Sequence, residues 1–162
     1  GASALVSGFL TAEGELDLER MEPLVELCHK AGGKFTLHRA FDVCRDPFQA
    51  LEQCKAAGVD TILTSGQKNT CVEGLPLLKE LWEKKGEVEL LIGAGVDAGA
   101  IRQVRNALPP ARSFHMSGKK VVESAMRYRK EGVSMGLPAF SEYTLWRTDP
   151  EKIRAARKEL IE

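Results

Sequence analysis

The chain has 162 residues, 23 basic and 23 acidic, and its formal net charge is zero. That balance gives no electrostatic reason to expect nucleic acid or a membrane surface as a partner, and no apolar run reaches the length of a membrane span. The length suits one ordinary domain with a real core.

Residues 2–10 read as a strand with Ala4, Leu5 and Val6 as its apolar part, followed by a polar turn over residues 11–15. Asp17 is placed to cap a helix whose apolar residues, Leu18, Met21, Leu24, Val25 and Cys28, recur at helical spacing until Gly32 and Gly33 stop it. A second strand spans 34–38. Asp46-Pro47 then opens a helix buried through Phe48, Leu51 and Cys54. Strand three covers 59–63 and ends in the polar turn Thr64-Ser65-Gly66-Gln67. A helix begins at Pro76, and strand four covers 88–92. Gly93-Ala94-Gly95 follows, with Asp97 as the next cap, and Pro109-Pro110 breaks that helix. Residues 113–116 read as a short fifth strand. Residues 119–141 read as a long functional or mobile loop, and a last helix starts at Asp149-Pro150.

The fold class is therefore α/β, with about five βα units and parallel strands joined by helical crossovers. Two architectures satisfy this pattern. One is an open, doubly wound sheet. The other is a partial TIM (βα)₈ barrel, since a complete barrel takes roughly 200–250 residues.

In either architecture ligands bind at the carboxyl ends of the strands. His38, Arg39 and Asp42 sit at such an end. They suit a catalytic group, with His38 as acid/base or metal ligand and Arg39 as a clamp on a carboxylate or phosphate. The plainer reading is an Arg39–Asp42 ion pair that stabilises the loop. Thr64 and Ser65 offer hydroxyl and N–H donors at the next strand end, either to an anion or to a helix start. Gly93 and Gly95 allow close backbone approach ahead of a helix N-terminus. With Ser117 and Gly118 they make a candidate phosphate cradle. It is no dinucleotide fingerprint, because the third glycine of that motif falls at Ala98. His115, Arg127 and Glu142 are further candidates for the same mouth. His29 reads as a solvated residue on a helix's polar side.

The four cysteines, Cys28, Cys44, Cys54 and Cys71, form no CxxC pair, which fits a reduced cytoplasmic protein. Cys28 and Cys54 fall on apolar helical faces. Cys44 and Cys71 follow strand ends, so a soft metal such as Cu(I) would use them, with Met116 or Met126.

Several stretches together resemble the copper homeostasis protein family CutC. They are Leu5-Val6-Ser7-Gly8 with Gly14 and Asp17, residues 35–42 with Asp46-Pro47, Ile62-Leu63-Thr64-Ser65-Gly66-Gln67, Gly74-Leu75, Gly93-Ala94-Gly95-Val96, Met126-Arg127-Tyr128-Arg129 and Ser141-Glu142-Tyr143. The resemblance implies a cytoplasmic TIM barrel whose first three strands are absent here, so that residues 1–162 form a single partial-barrel domain. It also implies copper binding or copper tolerance, with a copper ion as partner. The open sheet edges of a partial barrel favour assembly as a homo-oligomer or with a missing partner. The strand-end residues themselves favour a different ligand, a phosphorylated or carboxylated small molecule held by an enzyme or binding protein. A non-catalytic half-barrel that only assembles is the third alternative.

Overall fold

The computed structural model describes residues 1–133, 136 and 141–161. Four short strands, β1 (Ala4–Ser7), β2 (Lys34–Leu37), β3 (Thr61–Thr64) and β4 (Glu89–Ile92), form a parallel sheet in the order β1-β2-β3-β4. The crossovers carry helices α1 (Leu18–Lys30), α2 (Pro47–Ala56) and α3 (Leu75–Lys84), and α4 (Ala98–Ala107) follows β4. A 3-10 turn over Arg39–Val43 separates β2 from α2. The expected caps are in place. Asp17 accepts from Arg20 N–H, Asp46 from Phe48 and Gln49, and Asp97 from Ala100.

Strand alternation explains the core. Phe35, Leu37, Ile62, Leu90 and Ile92 point to one face and are fully buried. They join Met21, Val25, Leu51, Leu78, Leu81 and Val104 from the helices in two clusters. Each such side chain contributes about 1.5–3 kcal/mol of burial. The opposite face carries Val6, Thr36, Thr61, Leu63, Glu89 and Leu91, none of them buried, with Val6 58% exposed. Parallel sheets are ordinarily covered on both faces. The sequential strand order has no reversal among the described strands, whereas a doubly wound sheet reverses its order at a switch point.

Two expectations are corrected. The fifth parallel strand shrinks to one bridge between Ile92 and Phe114, made by Ile92 N–H to Ser113 O (2.9 Å) and His115 N–H to Ile92 O (2.8 Å). The chain turns away four residues after Phe114, where Gly118 takes φ +56°. The stretch expected as a loop instead begins with a strand, β5 (Lys119–Glu123), paired antiparallel with β6 (Thr144–Thr148). Residues 134, 135 and 137–140 of that expected loop lie outside the described residues. Helix α5 (Pro150–Ile161) follows β6 and packs on α4.

Candidate functional site

The carboxyl ends of the strands hold two distinct arrangements. In the first, the Asp42 side chain is only 4% exposed. Its carboxylate accepts from Arg39 Nε (2.6 Å), Thr64 Oγ1 (2.6 Å), Ser65 N–H (3.0 Å), Ser65 Oγ (2.9 Å) and Gln67 N–H (3.2 Å). The Thr64-Ser65-Gly66-Gln67 turn is thus an anion cradle, as its donors suggest, but the anion it holds is the protein's own Asp42. Thr64 and Ser65 are fully buried and committed to that carboxylate, so they are not placed to receive an external anion. Asp42 is surrounded by donors on both carboxylate oxygens.

The same network aims Arg39. Its Nη2 donates to Ser65 Oγ at 3.1 Å, while its side chain remains 46% exposed. Gln67, which sequence reading did not single out, locks the loop from the other side. Its Nε2 donates to the carbonyls of Phe41 (3.2 Å) and Cys44 (3.0 Å). Gln67 has φ +56°, a left-handed backbone that only these bonds justify. His38 caps the 3-10 turn, with Nδ1 accepting from Ala40 N–H at 3.1 Å. Nδ1 is therefore the lone-pair nitrogen, and the neutral ring carries its proton on Nε2.

The second arrangement is a cleft of about 440 Å³ lined by Gly95, Asp97, Met116, Ser117, Gly118, Lys119 and Lys152, among others. It sits at the N-terminus of α4. Gly95, Ser117 and Gly118 thus come together as expected, while Gly93 is not part of the lining. Gly93 is buried because of packing, since a Cβ there would lie 2.7 Å from Leu63 Cδ1. Gly118 is buried for a similar reason, under Ile153. Gly95 and Ser117 are exposed. Lys119 and Lys152 supply the positive charge, and Lys152 Nζ is tied to Lys119 O at 2.8 Å. Lys152 lies in the first turn of α5, where the helix dipole disfavours a cation. That misfit was a signal available in the sequence. The loops that follow β3 and β4 touch where Cys71 N–H donates to Ala94 O at 3.1 Å.

The other candidates are scattered. His115 is exposed beside Gly93. Arg127 is exposed beyond β5, and the neighbouring Arg129 stacks on Tyr143 at 3.9 Å. Glu142 accepts from Gly136 N–H at 3.1 Å and so holds its own loop. His29 is not merely solvated, since its Nε2 pairs with Asp60 at 2.9 Å.

The thiols do not converge on a metal site. Cys44 packs in one core cluster and Cys71 in the other. Burial pushes the Cys44 thiol up, the charges of Asp46 and Asp42 add to this, and Gln67 opposes it. Burial, then the neighbouring Cys44, pushes Cys54 up to about 12, and burial raises Cys71. Cu(I) takes thiolate and thioether ligands, and the two thiols are divided between separate core clusters, while Met116 lines the cleft. No group of three or more His, Cys, Asp or Glu residues suited to a metal occurs among the described residues. Nor is any described helix long and apolar enough to cross a membrane.

Comparison with known proteins decides the family. A profile described as the CutC family matches residues 1–120. The chain belongs to the CutC family. A CutC family protein of Parabacteroides distasonis is 42% identical over 153 residues, covering 93% of this chain and 62% of that protein. The mouse copper homeostasis protein cutC homolog is 38% identical over 156 residues, covering 95% of this chain and 56% of that protein. A crystal structure of CutC from Streptococcus agalactiae superposes with a TM-score of 0.62 at 28% identity, covering 70% of this chain and 55% of that one. The chain therefore spans about three-fifths of the length of its CutC relatives.

Proposed function

We propose that this CutC chain binds a phosphorylated or carboxylated small molecule at the strand-end cleft, and that its connection to copper homeostasis runs through that ligand rather than through a thiolate copper site. The observation that carries this reading is the cleft lining. Exposed Gly95 and Ser117 face the same space as Lys119 and Lys152, beside the N-terminus of α4. Backbone N–H groups, a helix N-terminus and ammonium groups all favour an oxyanion. In this reading Arg39 clamps a second acidic group, Asp42 positions Arg39, and His38 offers Nε2 as the acid/base atom. Whether turnover follows binding depends on His38.

The fold belongs to the same proposal. The sequential strand order and the uncovered sheet face support a partial TIM barrel over residues 1–162, acting in the cytoplasm. Among the described residues, the edge of β1 away from β2 pairs with no strand, and this edge and the open face support assembly with a second copy or with further strands. The competing reading, direct Cu(I) handling, rests on the names of the relatives and would use Cys44 and Cys71.

Titration calorimetry with a set of sugar phosphates and phosphorylated acids tests the cleft. Lys152→Gln should weaken binding of whichever compound the chain takes by at least about tenfold, or 1.4 kcal/mol. Cys44→Ser should leave it unchanged. Equal affinity in Lys152→Gln and the parent chain would remove the cleft from the account.

A further inference from the structure

The opposite end of α4 carries a different cluster. A cavity of about 300 Å³ is lined by Arg102, Arg105, Asn106, Pro109, Arg112 and Glu159. Glu159, on α5, is taken up by Arg102, which donates from Nε at 3.0 Å and from Nη2 at 2.5 Å. Arg102 and its neighbours Lys158 and Arg105 hold the Glu159 carboxyl below the usual carboxylate range, although desolvation works the other way. Among the described residues, the lining of this cavity holds one carboxylate and three guanidinium groups. Among the described residues, neither Arg105 nor Arg112 has a carboxylate partner. Each is instead pinned by backbone. Arg105 Nη1 donates to the Glu159 carbonyl, and Arg112 Nη1 donates to those of Ala111 (2.9 Å) and Pro109.

One atom remains unexplained by that arrangement. Arg105 Nε is buried and has no acceptor among the described residues. A buried N–H without a partner is rare in folded proteins, and on a permanently charged group it is rarer still. Nothing in the strand-end site uses it, because that cleft borders the other terminus of α4.

We propose that this cavity is a second anion site, taking inorganic phosphate or a phosphate ester on Arg105 and Arg112. The guanidinium fork gives two parallel N–H donors to an oxyanion. Two guanidinium groups with no carboxylate salt bridge among the described residues match a doubly charged phosphate better than a single carboxylate. The site is independent of the strand-end ligand and lies on the surface between α4 and α5, where occupancy would tie the C-terminal helix to the α/β core.

Arginine Nε resonances in nitrogen-15 correlation spectra read this site directly. The Arg105 Nε peak is identified by its loss in Arg105→Lys. Titration of the full chain with inorganic phosphate should move that peak saturably, and sodium chloride at matched ionic strength should not. Arg112→Gln should raise the midpoint at least tenfold, and Arg112→Lys, which keeps the charge and loses the fork, should raise it less. Lys152→Gln should leave the midpoint unchanged. The same displacement with chloride, or an unaltered midpoint in both Arg112 variants, would reduce the cluster to solvated arginines that hold helix carbonyls. A response abolished by Lys152→Gln would assign the phosphate to the strand-end cleft and overturn the second site.

Discussion

A carboxylate that accepts from five donors has little left to offer a substrate. Asp42 is such a group, and its task is to hold Arg39 and the β3–α3 loop in register. The thiols follow similar logic. Cys44, Cys54 and Cys71 are buried with raised pKa values, whereas Cys28 is only partly buried. Under native conditions at pH 8, a thiol reagent should therefore label Cys28 first, and the other three should label at the pace of unfolding. Rapid native labelling of Cys44 or Cys71, followed by mass spectrometry, would show a reactive thiolate and revive the copper reading. Asp60 gives a pH test. Desolvation works to raise its pKa, but bonds from His29 (2.9 Å) and Phe35 N–H (2.8 Å) outweigh it, and the carboxyl is held below its ordinary value. A depressed folded-state pKa contributes stability above the unfolded pKa and loses it as pH falls through the folded one. Asp60→Asn should cost about 1 kcal/mol at pH 7, and the gap in Tm from the parent chain should close below about pH 4. A gap that persists unchanged at pH 3 contradicts this assignment.

Among the elements, the β3–α3 loop is the most tightly specified. Gly66 has φ +72°, and its neighbour in space is Gly74, where a Cβ would come within 1.8 Å of Ser65 O. No side chain fits there without moving the turn that cradles Asp42. Gly74→Ala should destabilise the chain by about 3 kcal/mol or more in denaturant unfolding. It should also release Arg39. A loss under 1 kcal/mol would mean that the loop is looser than described. Much of this architecture is legible in the sequence. Asp17, Asp46 and Asp97 announce their helices, and four strand positions follow from apolar runs ending in polar turns. The donors of Thr64-Ser65-Gly66-Gln67 also advertise an anion cradle. The occupant does not, because only the tertiary fold brings Asp42 across 22 residues to Thr64. The β5–β6 ribbon escaped for a related reason. Its two strands are separated by residues 124–143, with no tight-turn signature to link them, and Lys119-Lys120-Val121-Val122-Glu123 shows no period-two alternation.

At the scale of the whole molecule, four parallel strands in sequential order pack one face against helices, and their side chains on the other face are not buried by any described residue. The strand-end cleft lies at one terminus of α4 and the arginine cavity at the other, so two chemically similar sites are separated by the length of a helix. The family's name points to copper, while the described side chains point to an anion. A thermal-shift panel on the intact chain separates these, with anaerobic Cu(I) in one arm and phosphorylated small molecules in the other. A ligand of the native state at 100 times its Kd adds about 2.7 kcal/mol. The account predicts a rise in Tm with a phosphorylated compound that, in an Arg112→Gln background lacking the second site, Lys152→Gln abolishes, and no Cu(I) shift dependent on Cys44 or Cys71. A Cu(I) shift that disappears in Cys44→Ser and Cys71→Ser, with none from any phosphorylated compound, would contradict it.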